Sequence, residues 1–280
     1  MSLAPSMTFA PRTAERLHAA RALYWCMRLG ARQAWAQKVP LAGMVFTFAV
    51  IVSVWASIWL LVPADTLARF GLSYGEVIWY FILTEIIAFS LGHAYRRIQD
   101  DLASGALTLS LVRPVGYVAL AAAEEFGHMA VRLAVTAGPG TVLARILGGK
   151  PPFGPETILP LALSVIAGTT LFLAVQILIG LTAAWLGSAR AVFFITQKFV
   201  FVLGGLIMPI SAYPALVGKI AWATPFPAML YAPASLVLDQ SADHLGLVAA
   251  MQAFWLCLAA IGIVLLGAAF ERRLSMKGLV

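Results

Sequence analysis

Uninterrupted apolar runs dominate this chain and leave few folds open to it. Crossing ~30 Å of hydrocarbon takes about 20 apolar residues in a helix. Runs of that kind lie near Leu41–Val62, Glu76–Gly92, Glu125–Leu147, Thr157–Leu186, Ala191–Pro209 and Leu245–Phe270. A spanning segment must satisfy its own backbone, so runs of this length predict helices. The expected fold is an all-α polytopic membrane protein with six transmembrane helices. Apolar residues make up 61% of the 280 and charged residues only 11%. Soluble domains carry roughly 25% charged residues, which excludes an ordinary globular enzyme. The third run is the least regular, because Gly138-Pro139-Gly140 interrupts it, and proline removes a helix hydrogen bond.

Orientation follows from the basic residues of the loops. One alternating set of segments holds Arg12, Arg16, Arg21, Arg28, Arg32, Lys38, Arg96, Arg97, Arg113, Arg190, Lys198, Arg272, Arg273 and Lys277, 14 of the 19 Lys and Arg. The other set holds Arg69, Arg145, Lys150 and Lys219, and Arg132 falls inside the third run. This asymmetry predicts a multi-pass protein of the cytoplasmic (inner) membrane with both termini in the cytoplasm. The net charge of +7 is then an anchoring feature. It is scattered over several segments, which argues against nucleic-acid binding.

Residues 1–40 read as a cytoplasmic N-terminal segment and residues 41–280 as the membrane domain. Within the first, residues 12–38 predict a helix with Ala20, Leu23, Met27, Ala31 and Trp35 on one side. Arg21, Arg28 and Arg32 form a stripe largely opposite, suited to anionic headgroups or to a partner protein. The extreme N-terminus has no apolar core of seven or more residues, so no cleavable signal peptide is expected. Cys26 and Cys257 fall in different phases and are not expected to pair.

The loop after the second run, residues 93–115, is the most informative polar segment. His93, Tyr95, Arg96 and Arg97 open it, Asp100 and Asp101 follow, and Ser104-Gly105 marks a break. Ala106–Leu111 predicts a short helix carrying Leu107, Leu109 and Leu111, and Arg113-Pro114 ends it. Apolar knobs flanked by charges of both signs suit docking in a partner's groove. The alternative is a loop whose leucines dip into headgroups.

Asp101, Leu102, Gly105, Leu107, Leu111, Arg113 and Pro114 spell D-[IL]-x-x-G-x-L…L-x-[RK]-P. That pattern after a second span resembles permease subunits of ABC exporters of the second membrane-domain class, in a bacterial branch related to drug and polysaccharide exporters. Ala123 to Val135 is similar to the start of that branch's third span. Gly204 to Pro233 resembles its connection between spans five and six, where short helices fold back into the outer leaflet. Pro209, Pro214, Pro225, Pro227 and Pro233 suit such broken pieces, placed at 205–240.

The resemblance implies two copies of a separate ABC ATPase subunit, a second permease that is identical or paralogous, and surrounding lipids. It makes residues 93–115 the coupling loop and Ile98, with the seven pattern residues, the coupling set. It also implies that the N-terminal helix touches the ATPase. ATP and Mg would be bound on that partner and no cofactor on this chain. No G-x-x-x-x-G-K-[ST] occurs in the sequence, as that division of labour requires.

Glu85 lies in the second run, and Glu124, Glu125, His128 and Arg132 open the third. Spacings of three and four let Glu125 pair with His128 and His128 with Arg132. Glu85 can reach Arg132. A charge in hydrocarbon must pair or snorkel. Such a cluster reads as a structural ion-pair group near the interface, or as a relay or substrate contact. Trp55, Trp59, Trp79 and Tyr80 read as interfacial belt residues, and Phe193, Phe194, Phe199 and Phe201 as packing residues or the wall of an apolar path. The histidines are too scattered for a metal site, and neither H-E-x-x-H nor G-x-S-x-G occurs. The expected function is the permease half of an ATP-driven exporter of an apolar or amphipathic substrate. A non-transporting membrane scaffold or assembly factor is the alternative.

Overall fold

The computed structural model of the chain describes residues 12–107 and 115–276, and no strand occurs among them. Helix α1 (Arg12–Ala36) breaks at Gln37 into α2 (Lys38–Leu60). A short α3 (Ala64–Arg69) leads to α4 (Tyr74–Ser90), and α5 (Ala94–Ala103) follows. Then come α6 (Tyr117–Gly148), α7 (Ile158–Leu181), α8 (Ala183–Leu186) and α9 (Arg190–Leu203). Three short helices, α10 (Ala215–Trp222), α11 (Phe226–Met229) and α12 (Tyr231–Ser235), precede the long α13 (Ala242–Met276).

Five stretches of the described residues are long and apolar enough to cross a membrane: Lys38–Leu60, Tyr74–Ala103, Tyr117–Gly148, Pro155–Leu186 and Ala242–Leu274. The expected fifth span, Ala191–Pro209, is not among them. It is helical only over the 14 residues of α9, about 21 Å at 1.5 Å per residue. Gly204-Gly205 stops it, with Gly205 at φ +74°, a conformation open mainly to glycine.

Just beyond that stop the backbone is satisfied by α4. Tyr80 Oη donates to the Gly205 carbonyl, and Thr84 Oγ1 to the Leu206 carbonyl at 2.7 Å. Tyr213 Oη caps the Val202 carbonyl at 2.6 Å. Backbone that leaves a helix inside a packed bundle needs partners of this kind. The prolines punctuate the same region: Pro209 precedes a 3-10 turn at Ile210–Ala212, Pro214 and Pro225 begin α10 and α11, and Pro227 lies within α11. Ala228, Met229 and Leu230 are fully buried. A β-carbon at Gly168 would sit 2.5 Å from the Met229 carbonyl oxygen, so α11 lies against α7 at a glycine. Gln252 of α13 locks the pair, donating to the Ala228 carbonyl at 3.1 Å and the Ser164 carbonyl at 2.9 Å.

Three further expectations change. The third span is one continuous helix despite Pro139, and it begins eight residues before Glu125. Pro139 costs it one hydrogen bond, while Ile86 and Phe48 pack against Gly140 and hold the helix there. Trp79 and Tyr80 are core residues, not belt residues, at 8% and 0% exposure. Trp79 meets Phe153 edge-on at 5.6 Å, so the loop after α6 covers it. Finally, α1 does not offer Trp35 to its seam, since that residue is 60% exposed. Instead α1 crosses α6 backbone to backbone, Gly30 against the Glu124 carbonyl and Gly127 against the Met27 carbonyl. Arg21, Arg28 and Arg32 point away from that seam, with Arg28 over the Trp25 ring at 5.1 Å.

Candidate functional site

Helix α5 leaves the second span at Leu91–His93 and is fixed on three sides. Ala94, Tyr95 and Ile98 form its buried face. Ile98 seats in the notch at Gly180 of α7, where a β-carbon would lie 2.9 Å from Ile98 Cδ1 and 3.0 Å from Tyr95 Cα. The Tyr95 ring stacks on Phe193 of α9, centroids 4.1 Å apart and planes 15° apart. Gln99 Oε1 accepts from the Ala189 backbone N–H at 2.8 Å, just before α9 begins. At the head of the loop, Gln176 Nε2 of α7 donates to the Gly92 carbonyl at 2.8 Å. These contacts tie α5 to both α7 and α9.

Charged groups tie the opposite edge of α5 to α6. Arg97 Nη2 bonds Glu124 Oε2 at 2.8 Å and approaches Asp101 at 3.8 Å. Tyr117 Oη donates to Asp101 Oδ2 at 2.7 Å. The Glu124 carbonyl is the group against Gly30 of α1, so one network joins α1, α5 and α6. These residues are partly buried, and removing one leaves its partner poorly compensated.

The chain then closes with the Ser104-Gly105 break, Gly105 taking φ +73°. Leu107 is 2% exposed, inside a cluster with Ile98, Met129, Leu173, Leu181 and Phe270. Leu107 was expected to face a partner's groove and Ile98 belonged to the coupling set that the resemblance implied; the structure turns both into the protein's own core. Their apolar faces gain more from this core than a short helix could gain in water. The outward face of α5 consists of Arg96, Asp100 and Ala103. Leu102 is half-buried against the same core. Leu109, Leu111, Arg113 and Pro114 lie outside the described residues. Leu107→Asp is therefore expected to put an uncompensated carboxylate in the core, costing several kcal/mol, and to lower the melting temperature of the purified protein. An unchanged melting temperature would show that Leu107 is not buried.

Beside α5 two cavities adjoin, sharing Gln37, His93 and Arg132. The polar one, about 430 Å³, is walled by the charged residues of α5 and α6. The larger one, about 650 Å³, reaches into the apolar bundle between α2, α4 and α9, lined by Trp55, Glu85, Phe89 and Phe201 among others. Drug-sized ligands use cavities of about 300–1,000 Å³.

Within the charged cluster of α4 and α6 only part of the expected pairing occurs. Glu125 and His128 approach at 3.8 Å. Arg132 does not pair with His128. Its Nη1 donates to the Leu91 carbonyl at 3.2 Å, and it converges with the Glu125 carboxylate over Gly92. Nor does Glu85 pair with Arg132, although both line the same cavity. Glu85 is 5% exposed and has no ion-pair partner among the described residues. Of the four phenylalanines, Phe201 lines the cavity and Phe193 is buried under Tyr95, while Phe194 and Phe199 are exposed.

Sequence reasoning missed Gln99, Gln176, Gly180 and the Gly30–Gly127 crossing. Gln176 carried a signal, because an amide inside an apolar span is costly unless it has a partner.

These features place the chain among multi-pass membrane proteins with a structured element inserted after the second span. A family model described as an ABC-2 family transporter protein matches residues 44–275, and the chain belongs to that family. No curated protein matches it.

Proposed function

We propose that this chain is the membrane-spanning subunit of an ATP-driven exporter, working with two copies of a separate ABC ATPase and with a second permease, identical or paralogous. The observation that carries the reading is the clamping of α5 to α7 and α9 beside an intramembrane cavity. An ATPase pressing on the outward face of α5 would move its anchors with it, and α9 forms one wall of the cavity. ATP and Mg belong to the partner in this scheme. This chain supplies the lever and the passage, not the hydrolysis.

The basic residues support an inner-membrane orientation with both termini, α1 and α5 on the cytoplasmic side. The α10–α12 region then lies toward the outer leaflet, where α9 and its folded-back continuation make the sixth crossing. Asp101 acts by holding Arg97 and Tyr117 in place, and Ile98, Leu102 and Leu107 by anchoring the lever. Gly105 shapes the turn that leads to Leu111, Arg113 and Pro114, the remaining ATPase-coupling residues. The arginine stripe of α1 faces headgroups or the ATPase. An apolar, aromatic cavity suits an apolar or amphipathic substrate.

The test is capture of the tagged chain from its native membrane in mild detergent, followed by mass spectrometry. A stoichiometric ATPase with a Walker motif is the expected companion, and any second permease distinguishes homodimer from heterodimer. Intact oligomers without an ATPase, where control transporters keep theirs, would favour a scaffold.

A further inference from the structure

The larger cavity is lined by one acid, Glu85, and one base, Arg132, and the two differ in whether the protein itself pairs them. Arg132, which lines both cavities, has the Leu91 carbonyl and the neighbouring Glu125. The His93 ring rests near the Tyr95 and Phe193 rings, centroids 6.1 and 6.0 Å away. Glu85 is different. It lies nineteen-twentieths buried on α4, lines the cavity, and has neither a cation nor a hydrogen-bond donor among the described residues. A buried carboxylate with no partner is costly. Trp55, Phe89 and Phe201 stand among the aliphatic and polar groups that line the cavity; aromatic faces attract cations, and Phe201 already has the Lys198 ammonium 6.0 Å from its centroid.

We propose that Glu85 is the charge-recognition residue of this cavity, which binds amphipathic monocations. Such a molecule carries one ammonium- or phosphonium-type centre on an apolar body. The carboxylate of Glu85 supplies the counter-charge, and the rings of Trp55, Phe89 and Phe201 cover the apolar groups. The inference rests on the exporter reading only in treating this cavity as the place where substrate is held.

Binding of tritiated tetraphenylphosphonium to the full-length protein in nanodiscs tests it, with binding to empty nanodiscs subtracted. Tetraphenylborate, of matching shape and opposite charge, serves as competitor. The wild type is expected to bind the cation saturably and to resist displacement by the anion. Glu85→Gln is expected to lower cation affinity about thirtyfold or more, the scale of losing one partner of a buried charge pair. Glu85→Asp keeps the charge and is expected to retain most of the affinity, which separates loss of recognition from misfolding. Equal cation affinity in the wild type and Glu85→Gln overturns the proposal, as does effective competition by tetraphenylborate. Absence of saturable binding to folded wild type overturns it too, and leaves the exporter reading to partner capture. Saturable, Glu85-dependent binding by a chain that captures no ATPase would keep this site and sink the exporter.

Discussion

Gly180→Leu is expected to detach α5 from the bundle while leaving the spans inserted. A single β-carbon at this position would already lie 2.9 Å from Ile98 Cδ1 and 3.0 Å from the Tyr95 backbone. A leucine adds three more carbons, and a close-packed interior has no slack for them. The less costly response is for α5 to swing outward, because α7 is held along its length by α13, α11 and α12. That swing breaks the Tyr95–Phe193 stack and the Gln99–Ala189 hydrogen bond together. Amide hydrogen exchange over 94–103 should accelerate selectively, since local opening has its own free energy below that of global unfolding. Coupling between distant sites is typically worth about 1–3 kcal/mol, a 5- to 150-fold effect. If the exporter reading holds, nucleotide-dependent changes in reactivity of a cysteine at Phe194 should fall by a factor in that range, with the ATPase still bound. Unchanged exchange over α5 would mean that Gly180 does not seat it.

Gly127→Val should be at least as damaging, through a different joint. Here the obstacle is main chain: the Met27 carbonyl and the Ala31 N–H of α1 occupy the space where a side chain would go. Backbone cannot rotate aside as the end of a side chain can, so α1 must lift off α6. Overpacking commonly costs about 1–3 kcal/mol and occasionally more, and loss of a whole helix contact belongs at the upper end. Cys26, half-buried near the seam, reports on it directly. In a background with Cys257→Ser, maleimide labelling of Cys26 should speed up markedly and the melting temperature should drop. Labelling at the wild-type rate in a folded Gly127→Val protein would sink the crossing. Gly43→Val is a suitable control, since no atom lies within 4 Å of where its β-carbon would be.

The spans were legible because run length against bilayer thickness is a strong constraint, and four of the six expected runs match helices within a few residues. The early start of α6 was not, because the charged pair Glu124-Glu125 separates the apolar Tyr117–Ala123 from the rest of the run and reads as its boundary. The end of α9 was written in Gly204-Gly205, yet hydropathy alone carried the run past it. For the candidate site, the Ser104-Gly105 break followed from local chemistry. Whether Ile98 and Leu107 face inward or outward did not. A short helix with apolar residues says only that something covers them, and the cover comes from α6, α7 and α13, the last two far away in sequence. The same holds for Glu85 and Arg132: spacing on one helix predicts pairing, but pairing between helices depends on packing angles that spacing does not contain. A capping box at Ser73 and Glu76 begins α4, both of its hydrogen bonds present. It was readable as S-x-x-E before an apolar run.

The Gln252 lock bears on how the protein is made. The α11 segment leaves the ribosome more than twenty residues ahead of the side chain that binds the Ala228 carbonyl. Until α13 has entered the bilayer, that carbonyl has no such donor, and the segment has reason to stay at the water boundary. Maturation of this region is then a late step, gated by insertion of the last helix. Chains arrested before residue 252 should remain accessible to quality-control proteases at α10–α12, even with every earlier span in place.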